Sequence, residues 1–158
     1  MTDFTIRAAI PADVPEILRL VTELADYEKL SHMVVGTEAM LHEALFGERP
    51  CVEALVAERG GRTVGFALYF TTYSTFLARP GLYLEDIFVV PERRGRGIGR
   101  SLMLHLARVA NERGCGRMEW AVLDWNESAI RFYEALGSRR LGDWTTCRLA
   151  GDALARYA

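Results

Sequence analysis

Between Val89 and Ser101 the chain places glycines at 95, 97 and 99, with Arg94, Arg96 and Arg100 among them. Glycine costs backbone entropy, so three in one turn need a reason. The cluster stands between an apolar run and an amphipathic one. Small residues there let the N–H groups of Gly95, Gly97, Ile98 and Gly99 close around a phosphate. A following helix adds about half a positive charge at its mouth. Arg94, Arg96 and Arg100 can add charge at the rim. The plain alternative is a basic surface turn with a helix cap. Just upstream, Glu85 and Asp86 are adjacent carboxylates in a strand. Their side chains should leave opposite faces unless a bulge intervenes, so at most one is expected to face a substrate. Downstream, Tyr133 carries a phenol with a reference pKa of about 10, which stays protonated at neutral pH and can donate. Helical spacing alone reads Tyr133 as a core aromatic.

Two familiar phosphate loops fit poorly. A mononucleotide loop needs Lys followed by Ser or Thr after its second glycine, and no lysine lies here. A dinucleotide loop reads Gly-x-Gly-x-x-Gly after the first strand. Starting from Gly97 its third glycine would be Leu102, and this loop follows the fourth strand. Cys51, Cys115 and Cys147 form no CxxC, and His32, His42 and His105 form no metal-binding spacing. A disulfide framework or a metal site is therefore not expected, and a reducing cytosol fits best.

The elements that must position these groups follow from periodicity. Residues 4–10 alternate as a strand. Pro11 and Asp13 then open a helix with Ile17, Leu18, Val21 and Leu24 on one stripe. Thr37 is a plausible cap for a short helix through Leu45. Residues 51–58 and 63–73 flank Gly60-Gly61, a hairpin signal. Residues 81–90 form a further strand before the glycine loop. The next helix carries Leu102, Leu106 and Val109 and stops at Gly114. Residues 117–123 predict a strand. Asn126 or Asp124 caps a helix bearing Ile130, Tyr133 and Leu136, ended by Gly137. Residues 144–149 predict a last strand, and the remainder a short tail. Hairpin links early and helical crossovers late predict an α/β fold, with a mixed, partly parallel sheet flanked by helices.

Arg94-x-x-Gly97-x-Gly99, between a strand and a helix, resembles the acetyl-coenzyme A loop of the GNAT N-acetyltransferase superfamily. The order of elements agrees. "YLEDIFV" at 83–89, "WNESAIRFYEALG" at 125–137 and "ILRLVTELADYE" at 17–28 are similar to the diamine (spermidine/spermine) acetyltransferase branch. The likeness runs over nearly all 158 residues, with a shortened hairpin around Gly60.

The resemblance implies a GNAT fold, acetyl-coenzyme A as cosubstrate, a primary amine as acceptor and a homodimer. It implies that Glu85 is the base, acting directly or through a water; Asp86 then reads as structural, with an arginine as a candidate partner. Tyr133 would sit by the thioester sulfur. Backbone groups of Ile87, Phe88 and Val89 would pair with the pantetheine amides like an added strand. Asn126 matches a position near that arm, and it also reads as a helix cap. Tyr27 and Glu28 match a loop that contacts the amine. The branch has a further carboxylate where this chain has Thr145, although Asp143 is close. A diamine or lysine-like amino acid is therefore as credible an acceptor as a long polyamine. Rival readings are acetylation of a protein lysine or an aminoglycoside, and a non-catalytic acetyl-coenzyme A sensor.

Composition bounds the rest. At 158 residues, half of them hydrophobic and a quarter charged, one domain over 1–158 is expected. A formal net charge of -2 argues against a nucleic-acid partner. Apolar runs such as 66–70 are too short to span a membrane. The opening "MTDFTIRAAI" does not read as a signal peptide.

Overall fold

The computed structural model describes residues 3–158, which fall into two compact units that divide after Ala121. The first unit is built on a five-stranded sheet: β1 (Thr5–Ala8), β2 (Glu53–Arg59), β3 (Arg62–Ser74), β4 (Arg79–Val89) and β5 (Arg117–Glu119). Spatial order follows chain order, with antiparallel pairs up to β4 and a parallel β4–β5 pair. Gly60 and Gly61 join β2 to β3 with φ of 57° and 74°. Both lie in the left-handed region that a two-residue hairpin needs. The parallel pair is joined by the helical crossover that its direction demands.

Three helices belong to this unit: α1 (Val14–Tyr27), α2 (Glu38–Phe46) and α3 (Ile98–Glu112). The predicted cap of α2 is present, with Thr37 Oγ1 accepting from the Met40 N–H at 3.2 Å. Val14, Ile17 and Leu20 of α1 and Leu45 of α2 pack with Val56, Phe66, Leu68 and Phe88 of the sheet. Leu55, Ala57 and Ala67 point the other way by the strand period, yet are also buried. The buried stripe of α3, Ile98, Leu102 and Leu106, lies against β3 and β4. Both faces of the sheet are thus covered.

The strand expected over 117–123 is three residues long. Its ladder pairs Gly81–Tyr83 with Arg117–Glu119 and goes no further. The cause lies in β4, which bulges immediately afterwards. Tyr69 faces Leu84 and Leu68 faces Asp86, so Glu85 is the extra residue. A bulge bends its strand and increases the local twist. From Leu84 to Val89, β4 therefore has no strand beside it on the side away from β3, among the described residues.

The second unit, Val122–Ala158, contains α4 (Glu127–Ala135) and one helical turn, α5 (Asp152–Ala155). The strand expected over 144–149 is not formed. Residues 141–150 are exposed and have no ladder partner. β-branched and aromatic residues favour a strand only when a neighbouring strand takes up their backbone groups. The segment read as a short tail carries α5 instead.

Candidate active site

Three pieces of the first unit come together: the end of α1, the bulge of β4 and the glycine loop. Helix α1 ends in a left-handed residue. Lys29 has φ of 61°, the Leu30 N–H reaches the Ala25 carbonyl at 2.8 Å, and the Lys29 N–H reaches the Asp26 carbonyl at 3.1 Å. This double closure turns the chain sharply and fixes Tyr27 and Glu28 on the last turn.

The bulge changes what the two adjacent carboxylates of β4 do. Asp86 opposes Leu68, so it lies on the face that also carries Phe88 and the α1 packing. Glu85 is exposed at the bulge beside it. The bulge that lifts the opposite-face rule is present, and the Asp86 carboxyl feels both Glu85 and Glu28. Burial, then Glu85, then Glu28 push the Asp86 carboxyl up to about 6. Burial also pushes Glu28 up. The expected arginine partner of Asp86 is not found among the described residues. The cluster therefore has an unmet need for positive charge, and a carboxyl ready to exchange a proton near neutrality.

The glycine loop has the form its composition predicts. Gly95 and Gly97 have φ of 72° and 81°, and Gly97 is the residue before α3. The first N–H bonded in this helix is that of Ser101, to the Gly97 carbonyl at 2.9 Å. The N–H groups of residues 95–100 have no acceptor among the described residues. Arg96 and Arg100 are exposed and carry no ion pair among the described residues. Free amides at the start of a 15-residue helix, with flanking guanidinium groups, fit a paired phosphate. Nothing lies within 4 Å of a Cβ built on Gly97, so a substitution there is costly through its φ alone. Gly97→Ala is expected to lower stability by about 1–2 kcal/mol in chemical denaturation and to weaken binding of the phosphorylated ligand.

The unpaired stretch of β4 holds Ile87, Phe88 and Val89. Ile87 is half-buried, while the other two are buried. Its open backbone edge can accept an extended amide-bearing ligand. The Val89 carbonyl is already taken, accepting from Arg94 Nε at 2.9 Å. Arg94, though exposed like Arg96 and Arg100, is thus tied back to β4 by its side chain.

In the second unit, Asn126 is the cap of α4, its Oδ1 accepting from the Ala129 N–H at 3.2 Å. Tyr133 lies on the last turn of that helix. Gly137 closes the turn with φ of 93°; the Gly137 N–H reaches the Glu134 carbonyl at 2.9 Å and the Ser138 N–H reaches the Tyr133 carbonyl at 3.3 Å. The Tyr133 backbone is therefore held by the helix end. Thr145 and Asp143 lie in the exposed segment before α5.

Comparison with known proteins identifies the family. Residues 19–137 match the model of the acetyltransferase (GNAT) family. The chain is 40% identical to a thialysine N-epsilon-acetyltransferase of Mus musculus, covering 100% of this chain and 99% of that one. It is 34% identical to the L-ornithine N5-acetyltransferase NATA1 of Arabidopsis thaliana, over 94% of this chain and 85% of the other. Among solved structures, an integron cassette protein from the mobile metagenome of V. cholerae superposes with a TM-score of 0.83 at 25% identity, covering 99% of this chain and 98% of that one. A glycine loop with unbonded amides, an opened sheet and full-length similarity to amine acetyltransferases meet in one chain, which belongs to the GNAT acetyltransferase family.

Proposed function

We propose that this enzyme transfers acetyl directly from acetyl-coenzyme A to the primary amine of a small lysine-like amino acid or diamine. The carboxylate cluster around the β4 bulge carries the reading. Burial and the charges of Glu85 and Glu28 disfavour ionised Asp86, and none of the three carboxylates makes an ion pair among the described residues, which is the environment an ammonium group would relieve. Similarity to enzymes acting on thialysine and ornithine supports the same substrate class. Both of those amines sit on short chains, which suits a compact cluster better than an extended acidic groove.

Each residue then has a task. The loop amides of 95–100, with Arg96 and Arg100, hold the diphosphate, and the open edge of β4 receives the pantetheine arm. Acetyl-coenzyme A supplies the activated thioester. A primary amine with a pKa of about 10.4 is neutral in roughly one molecule in a few thousand at pH 7. Asp86 and Glu28 bind the ammonium form, and Glu85 takes its proton directly or through a water. The amine nitrogen bonds to the acetyl carbon, the carbon–sulfur bond breaks while Tyr133 donates a hydrogen bond to the departing sulfur, and the proton still surplus on the nitrogen passes to the thiolate through water, giving amide and free thiol. A free thiol has a reference pKa of about 8.5, below that of a phenol, so stabilising sulfur charge is easier than full proton transfer. No acetylated enzyme is required. We infer that the enzyme works as a cytoplasmic homodimer. Three free cysteines favour a reducing compartment, and no helix among the described residues is long and apolar enough to cross a membrane.

Thiol release from acetyl-coenzyme A, measured across diamines, polyamines, lysine analogues, aminoglycosides and peptides, tests the proposal. The expected order places lysine analogues and short diamines first. Faster turnover of peptides or aminoglycosides would overturn the substrate class. Cofactor binding with no thiol released by any amine would point to a sensor instead.

A further inference from the structure

One side chain ties the glycine loop to the end of α1. The Arg94 guanidinium carbon lies 5.1 Å from the Tyr27 ring centroid and 5.2 Å from the Phe88 ring centroid. Its Nε donates to the Val89 carbonyl at 2.9 Å. Its planar faces are thus engaged by aromatic rings and its inner edge by backbone, a use that a lysine ammonium does not reproduce. Arg96 and Arg100 are as exposed as Arg94, but among the described residues neither makes such a contact.

The three contacts join parts with different tasks. Val89 and Phe88 belong to the β4 edge, Arg94 opens the loop, and Tyr27 directly precedes Glu28 of the carboxylate cluster. We propose that Arg94 is a positioning residue that couples the two substrates, and that its main work is not phosphate binding. Closure of the loop amides on a diphosphate fixes the backbone at Arg94. The stacked guanidinium then fixes Tyr27, and the last turn of α1 fixes Glu28 against Asp86. Order gained on one side lowers the cost of binding on the other, and linkage requires the effect to run equally in both directions. This inference rests on the amine acetyltransferase reading above.

The test is calorimetry with coenzyme A and a lysine analogue on wild type, Tyr27→Leu, Tyr27→Phe, Arg94→Lys and the Arg94→Lys/Tyr27→Leu pair. Circular dichroism checks each fold. Tyr27→Leu, at the amine end, is expected to weaken coenzyme A binding about three- to tenfold, the scale of a lost cation–π contact. Tyr27→Phe keeps the ring and is expected to restore it. Arg94→Lys keeps the charge yet is expected to match Tyr27→Leu, with the double variant little worse than either single one. In wild type, coenzyme A should tighten the amine by a factor that both single variants abolish.

If Tyr27→Leu leaves coenzyme A affinity unchanged, or the two substitutions are additive, Arg94 does not couple the sites. Should wild type acetylate no amine, the functional reading fails. The effect of Tyr27→Leu on coenzyme A binding still decides the contact. If Tyr27→Leu does not fold, Arg94→Lys in the exposed loop and the Tyr27→Phe comparison carry the same decision.

Discussion

Asp86→Asn is expected to lower kcat/KM for the amine by about 10²-fold while making the folded protein more stable. Activity falls because the substitution removes a charge-assisted partner of the ammonium group, worth about 1.5–3 kcal/mol. Stability rises because Asp86 titrates at about 6 in the folded protein, against about 3.9 in an unfolded chain. A carboxyl whose folded value is raised binds its proton more tightly when folded. Its ionisation therefore works against the fold as pH climbs through 4 to 6, and the penalty persists at neutral pH. Two units correspond to about 2–3 kcal/mol, an upper figure for a group that keeps some access to water. Asparagine carries no such penalty. Wild-type kcat/KM should show an acid limb near pH 6, where protonation of Asp86 removes its attraction for the cation, and the limb should vanish or move lower in the variant. Steady-state pH profiles and thermal melts of both proteins check this. An unchanged limb in Asp86→Asn, with no gain in melting temperature, would show that another group titrates there.

Tyr133→Phe is expected to lower kcat by about 10²-fold or more, the range of a lost proton donor in a transfer step, and to leave acetyl-coenzyme A affinity near that of wild type. The split is the informative part. Phenylalanine keeps the ring that packs 5.2 Å from Phe132 and leaves undisturbed the helix end closed at Gly137. Only the hydroxyl is lost. Single-turnover kinetics with saturating cofactor, beside calorimetric binding, separate a chemical defect from a binding one. Full turnover in Tyr133→Phe would remove the tyrosine from the reaction.

The elements that were legible in advance are those whose signals are local. Paired glycines at 60 and 61 foretold the hairpin. The stripe of α1 foretold its core, and Asn126 and Gly137 foretold both ends of α4. What escaped depended on partners far away in sequence. Residues 144–149 have the side chains of a strand, but local preference does not supply a neighbour. The parallel pair of β4 and β5 stops early because of a bulge that β4 and β3 make jointly, and neither sequence announces it. The surroundings of Asp86 depend on that bulge: Leu84 opposes Tyr69 while Asp86 opposes Leu68, so shared even numbering does not put Leu84 and Asp86 on one face. The arginine expected beside Asp86 is not found among the described residues, and Glu85 and Glu28 act on it instead. Spacing alone likewise does not show that the Arg94 side chain is tied to Val89 and to the rings of Tyr27 and Phe88 while Arg96 and Arg100 are not.

The single unpaired residue at Glu85 has a consequence for how this strand tolerates change in length. Deleting Glu85 itself would straighten the ladder and leave every other side chain on its own face, because Leu84 already opposes Tyr69 and Asp86 already opposes Leu68. Deleting a residue before Leu84 or after Asp86 would instead carry Leu84 or Asp86 through the sheet if the bulge took up the loss. Random one-residue deletions that preserve the fold should therefore be recovered at 85 and at the hairpin tip around residues 75–78, and not at 81–83 or 87–89.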